Sequence, residues 1–149
     1  MEMRSPAEIL VVEDNKSQRE CIVASIEVAV RDASVASVAD TEDAMEFLFG
    51  DAGAEPPKLV ILDLNLGDAN GMEVLMRVRS GDNHSPLTHI PIVIFMDSRD
   101  EESIAEGYRL GANSYVVKPF DFLEFQCVVE TLARYWISRN ETALGFRAP

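Results

Sequence analysis

The sequence predicts an α/β domain in which a parallel sheet of five strands is covered by helices on both faces. Three observations predict it. Short apolar runs alternate with segments of helical period five times along the chain. Most of the runs are apolar throughout, as strands buried on both faces are. Strands one, three and five end in charged residues, and sheets of this kind keep their ligand sites beyond the carboxyl ends of the strands.

Ile9-Leu10-Val11-Val12 is the first strand and ends in Glu13-Asp14. From about Ser17 to Val30, apolar groups fall at helical spacing (Cys21, Ile22, Ile26, Ala29 and Val30). Ser34 to Ala39 alternates small residues with Val and reads as a short strand. Asp40-Thr41-Glu42-Asp43 supplies a cap and the acidic first turn that the helix macrodipole favours. Ala44, Phe47 and Leu48 then form its apolar stripe, and Gly50 stops it.

Pro56-Pro57 breaks the chain, and Leu59-Val60-Ile61-Leu62-Asp63 is the clearest strand. A turn rich in Gly, Asn and Asp leads into a helix from about Gly71 to Arg79, and Ser80 to His89 is a polar loop. Ile90 to Met96 is the fourth strand, with Pro91 tolerable near its start. Glu101 to Leu110 is helical and ends at Gly111, and Ser114-Tyr115-Val116-Val117 is the fifth strand. Phe120 to about Ser138 is the last helix, where Phe122, Val129, Leu132 and Trp136 share a helical period and predict the core face. Tyr135 lies off that stripe and is an interface candidate, as is Trp136 beside it. Residues 7–138 are expected to form the domain. Residues 139–149 form a short tail with one apolar residue of note, Phe146.

The 149 residues suit one domain, and a domain of that size buries roughly 70% of its unfolded surface, enough for a core without staples. Thirteen Lys and Arg against 26 Asp and Glu give a formal charge of −13. That balance argues against nucleic acid and against an anionic membrane surface as partners. No apolar run approaches the roughly 20 residues a membrane span needs, and the first residues lack the apolar stretch of a signal peptide. The expected location is the cytoplasm. Cys21 and Cys127 have no metal-ligand spacing around them and read as reduced, partly buried thiols. His84 and His89 read as surface residues of the loop before strand four.

Glu13, Asp14 and Asp63 at neighbouring strand ends would repel one another unless a cation sits among them. A hard divalent cation such as Mg²⁺ takes oxygen ligands and pairs with phosphate oxygens. Lys118, after strand five, adds a second positive charge that can reach a carboxylate or a phosphoryl group. An aspartate between a metal and a lysine can act as a nucleophile toward phosphorus.

The chain resembles the receiver domains of two-component response regulators from about Glu8 to Ser138. Val12-Glu13-Asp14-Asn15, Leu62-Asp63-Leu64-Asn65-Leu66, Gly71-Met72-Glu73-Val74-Leu75, Pro91-Ile92-Val93-Ile94, Gly111-Ala112-Asn113-Ser114-Tyr115 and Lys118-Pro119-Phe120 carry the likeness. The resemblance implies a flavodoxin-like (βα)5 fold with sheet order 2-1-3-4-5. It implies that Asp63 accepts a phosphoryl group from a sensor histidine kinase and is not an enzyme's active centre. It also implies that Glu13, Asp14, Asp63 and the backbone carbonyl of Asn65 hold Mg²⁺, and that Lys118 contacts the phosphate. Asn113 to Phe122, with Tyr135-Trp136 and Asn140-Glu141, is similar to stand-alone receivers associated with bacterial and cyanobacterial phytochromes. That subgroup implies a receiver without an output domain and a homodimer through the C-terminal face.

The chain also departs from the pattern. The family carries Thr or Ser at the end of strand four, whose hydroxyl contacts the phosphoryl group and lets the strand-five aromatic turn inward. Here that position is Met96, which has no donor, and the aromatic is Tyr115. Asp97 follows where a small residue is usual, Ser98 lies two residues beyond Met96, and Gly67-Asp68 replaces the usual Pro-Gly. An altered switch is therefore expected. Two other readings compete with the phosphoacceptor: a docking module with a receiver fold, which Met96 and Asp97 favour, and a haloacid-dehalogenase-type phosphohydrolase. The phosphohydrolase would want an acid two residues after the nucleophile, where this chain has Asn65.

Overall fold

In chain order the elements are β1 (Ile9–Val12), α1 (Lys16–Ala29), β2 (Val35–Val38), α2 (Thr41–Phe49), β3 (Leu59–Leu62), β4 (Asn65–Leu66), β5 (Ala69–Asn70) and α3 (Met72–Arg79). A 3-10 turn (Pro86–His89) follows, then β6 (Ile92–Met96), α4 (Glu101–Arg109), β7 (Ser114–Val117), α5 (Phe122–Ala133) and a π-helical segment (Arg134–Arg139). This is the architecture of a computed structural model that describes residues 7–50, 55–67 and 69–142; the readings made on Asp68 and Phe146 lie outside them.

Five strands form one parallel sheet in the order β2-β1-β3-β6-β7, with β1 paired to both β2 and β3 in the same register. Leaving aside the two-residue strands, this is the expected 2-1-3-4-5 order. The all-apolar runs are explained by the sheet's two covered faces. Alternate residues of β1, β3 and β6 face opposite ways. Leu10, Val12, Val60, Leu62, Ile92 and Ile94 pack with α2 and α3 residues such as Ala44, Leu48, Val74 and Leu75. Ile9, Val11, Leu59, Ile61, Val93 and Phe95 pack with Ile22 and Ile26 of α1 and with Phe125, Val129 and Ala133 of α5.

Four helices start on an Asx cap. Asn15, Asp40, Asp100 and Asp121 each accept a hydrogen bond from the backbone N–H three residues on, at 2.7–3.1 Å. Arg79 at the end of α3 ties the far side together. Its guanidinium donates to the Gly111 carbonyl (2.9 Å), the Thr88 carbonyl (2.8 Å) and Asn113 Oδ1 (2.7 Å). Asn113 Oδ1 also accepts from Ile92 N–H, so its side chain extends the β6–β7 pairing past Pro91.

Several local expectations are corrected. The fourth strand begins at Ile92, because Pro86–His89 coil into a 3-10 turn within the expected polar loop. The expected turn after Asp63 contains the antiparallel pair β4–β5. The last helix starts after the Asp121 cap and widens to π turns from Arg134. Phe122 is exposed, and Phe125 takes the core position expected of it, because the first turn of α5 lies beyond the end of the sheet. Cys127 is exposed and Cys21 half-buried; both are free thiols.

Candidate functional site

The parallel ladder continues one residue past three strands, and that residue is charged each time. Glu13 N–H donates to the Val38 carbonyl (3.1 Å), Asp63 N–H to the Val12 carbonyl (3.0 Å) and Lys118 N–H to the Met96 carbonyl (2.8 Å). The backbone thus fixes where these side chains start, and all three are almost wholly buried. Lys118 Nζ donates to Asp63 Oδ2 at 2.8 Å and reaches Glu13 Oε2 at 3.2 Å and Oε1 at 3.3 Å. Its remaining partner is Gln18 Oε1 at 2.7 Å, from the first turn of α1. The other Asp63 oxygen, Oδ1, accepts from Asn65 N–H at 2.8 Å.

Asp14 is exposed beside this cluster, and one carboxylate oxygen each of Glu13, Asp14 and Asp63 lie within 4.8 Å of one another. One ammonium does not neutralise three carboxylates. Burial, then the hydrogen bond and charge of Asp63, push the Glu13 carboxyl up from 4.5 to about 8, against the pull of Lys118. A set of hard oxygen donors carrying excess negative charge fits a divalent cation. Arg19 braces the corner by donating from Nη1 to the Glu13 carbonyl (2.9 Å) and the Asp14 carbonyl (3.4 Å).

Gln18 and Arg19 are site residues that sequence reading missed. Their signal was faint: Gln18 follows the Asn15 cap by three residues, in the turn of α1 that faces the strand ends. Gly71 has a clear structural reason. It starts α3 so close behind Asp63 that a Cβ there would run into the Asp63 carbonyl oxygen and sit 2.9 Å from Leu64 Cα.

Met96 is half-buried at the end of β6, opposite Val117, with its side chain packed against the α2–α3 core. It offers no hydroxyl to the site. Ser98 does not replace it: its hydroxyl accepts from Asp100 N–H (3.1 Å), and its carbonyl accepts from the Tyr115 hydroxyl (2.9 Å). Tyr115 is half-buried. Burial, with the charges of Asp100, Asp97 and Asp63, pushes its phenol above the ordinary value. Asp97 is exposed and borders a cavity of about 490 Å³ with Gln18, Lys118 and Phe120. Tyr135 and Trp136 are not part of this cluster. They lie in the π-helical segment after α5, ring centroids 5.0 Å apart and edge to face, with Trp136 against the core and Tyr135 exposed.

Residues 9–130 match the family described as the response regulator receiver domain. The chain belongs to that family. It is 28% identical over 144 residues to the probable methanogenesis regulatory protein FilR2 of Methanothrix harundinacea, covering 95% of this chain and 91% of that one. It is 29% identical over 139 residues to the response regulator Rcp1 of Synechocystis sp., covering 91% and 92%. The phosphorylated cyanobacterial phytochrome response regulator RcpA superposes with a TM-score of 0.83 at 30% identity, covering 93% of this receiver and 99% of RcpA. A Mn²⁺-bound form of Rcp1 superposes with a TM-score of 0.81 at 26% identity, covering 92% and 99%. The fold is therefore the flavodoxin-like receiver fold, and the relatives include phytochrome-associated response regulators. No helix among the described residues is long and apolar enough to cross a membrane.

Proposed function

We propose that this receiver is a single-domain response regulator, residues 7–138, that accepts a phosphoryl group on Asp63 from a sensor histidine kinase. The observation that carries the reading is the buried Asp63 carboxylate held 2.8 Å from Lys118 Nζ, with Glu13 and Asp14 alongside. In the reaction an Asp63 oxygen forms the new bond to phosphorus as the bond to the donor's leaving group breaks. The backbone N–H of Asn65 keeps the carboxylate oriented. Lys118 withdraws from Asp63 Oδ2 to meet a phosphoryl oxygen, a charge-assisted contact it can make without leaving Gln18. Glu13, Asp14, Asp63 and the Asn65 carbonyl would hold Mg²⁺, which supplies the positive charge that this acidic corner and a phosphoryl group both need. Apart from slow loss of its own phosphate, the protein is not an enzyme.

The likeness to RcpA, a cyanobacterial phytochrome response regulator, supports a bacteriophytochrome as the kinase, and we place the protein in the cytoplasm. We also propose a homodimer through the C-terminal face, with Tyr135 and Trp136 as contact residues, a reading that rests on the exposed Tyr135 ring set edge-on against Trp136. A second reading, a docking module that does not need phosphate, is favoured by Met96 and by the Tyr115 hydroxyl already committed to Ser98. Intact-protein mass spectrometry separates the two. After incubation with Mg²⁺ and acetyl phosphate or N-phosphoimidazole, one added phosphate that Asp63→Asn abolishes supports the phosphoacceptor. No addition from either donor supports the docking module.

A further inference from the structure

Asp97 is an unexpected charge for a site that handles a dianion. It follows Met96, whose side chain turns to the α2–α3 core, so strand alternation returns Asp97 to the Phe95 face, the side of α1 and α5. There it lines the cavity of about 490 Å³ together with Gln18 and Lys118, and Phe120 and Phe122 add apolar lining. Lys118 does not neutralise it: the ammonium's donors are taken up by Asp63, Glu13 and Gln18. Among the described residues the Asp97 carboxylate has no hydrogen-bond or ion-pair partner. Phe120 is fully exposed at the same opening. This cavity, which meets the acidic cluster through Lys118, thus presents one free hydrogen-bond acceptor bearing negative charge and an uncovered aromatic ring.

Such a mouth discriminates between phosphodonors by the charge of what departs. Acetyl phosphate releases an acetate anion, which Asp97 repels. A phosphohistidine protonated on its distal ring nitrogen releases a neutral imidazole, and that ring can stack on Phe120 while its N–H donates to Asp97. We propose that this cavity is the leaving-group subsite and that Asp97 makes the receiver selective for phosphoimidazole donors over acyl phosphates. This deepens the phosphoacceptor reading and rests on it. The step balances. An Asp63 oxygen forms the O–P bond, the P–N bond breaks, and its electron pair returns to the ring nitrogen. The distal proton stays on the departing ring, hydrogen-bonded to Asp97.

The test uses the full chain with Mg²⁺ and compares the rate of phosphate gain from N-phosphoimidazole with that from acetyl phosphate by quenched intact-mass spectrometry. Asp97→Asn keeps the size and removes the charge at an exposed position, so folding is safe. The expected result is a fall of about tenfold in the imidazole-to-acetyl rate ratio, the scale of one charge-assisted hydrogen bond, with the acetyl phosphate rate rising. Asp97→Lys should lower the ratio further. An unchanged ratio, or equal acceleration with both donors, overturns the proposal: Asp97 would then repel any phosphoryl dianion without reading the leaving group. A wild-type chain that takes phosphate from neither donor overturns the phosphoacceptor reading itself.

Discussion

Glu13 links the site to stability in a way that pH can expose. Its carboxyl is raised from 4.5 to about 8 in the folded chain. A group raised on folding contributes stability that is full below its unfolded value and is lost as pH rises toward the folded one. Without metal, then, this receiver should be most stable near pH 5 and lose stability up to about pH 8. At about 1.4 kcal/mol per pH unit the whole window spans roughly 5 kcal/mol. Water entering beside exposed Asp14 shrinks this, and a loss of about 2 kcal/mol between pH 5.5 and 8 is expected. Urea unfolding in EDTA, followed by the fluorescence of Trp136, the single tryptophan, measures it. Glu13→Gln keeps the shape and removes the titrating charge, so its pH profile should be flatter and its stability at pH 8 higher than wild type. Mg²⁺ should stabilise wild type more at pH 8 than at pH 5.5, and should stabilise the variant less at both. Parallel pH profiles for the two proteins would refute the reasoning, because the buried cluster would then carry no excess charge.

Three further outcomes follow from the same structure. Met96→Thr restores a hydroxyl donor at the end of β6; a hydrogen bond to a charged group is worth about 1.5–3 kcal/mol, so affinity for beryllofluoride with Mg²⁺, measured by calorimetry, should rise tenfold or more. Gly71→Ala drives a Cβ into the Asp63 and Leu64 backbone, which cannot swing aside as a side chain could; unfolding should show a loss of about 1–3 kcal/mol together with slower phosphate gain on Asp63. Arg79→Met removes three hydrogen bonds to Gly111, Thr88 and Asn113. Its unfolding free energy should fall by about 3 kcal/mol, and Arg79→Lys should recover little, because an ammonium lacks the planar fork that reaches all three.

The strands were legible because burial on both faces leaves an unbroken apolar run, and the charged residues after β1, β3 and β7 stood out against it. The start of α2 was legible because the Asp40 cap acts within three residues. What escaped depends on direction in space. Gln18 and Arg19 are ordinary polar residues of an amphipathic helix until the sheet is seen to end beneath them. The core face of α5 was shifted by one turn: Phe122 precedes the edge of the sheet, and Phe125 is the first residue with a core to enter. The π turns that carry Tyr135 and Trp136 left no mark in the spacing, because a five-residue repeat over so short a stretch is indistinguishable from helical drift.

The departure at Met96 has a limited reach for a structural reason. Met96 gives its backbone carbonyl to Lys118 N–H, a bond that any residue could make, and its side chain packs against the cluster that includes Leu62 and Leu64, on either side of Asp63. Replacing a hydroxyl with a thioether there removes a donor without moving Lys118, Asp63 or Glu13. The groups proposed to accept the phosphate are set by ladder bonds, whereas the groups that would respond to it, Met96 and Tyr115, act through their side chains. Tyr115 adds a constraint, because its hydroxyl holds the Ser98 carbonyl in the segment that also carries Asp97. Any inward or outward turn of that ring must break this bond and shift the loop at the cavity mouth. The response and the proposed choice of phosphodonor therefore meet in the five residues from Met96 to Asp100, while the backbone positions of Glu13, Asp63 and Lys118 are fixed by ladder bonds that no side chain in that segment makes.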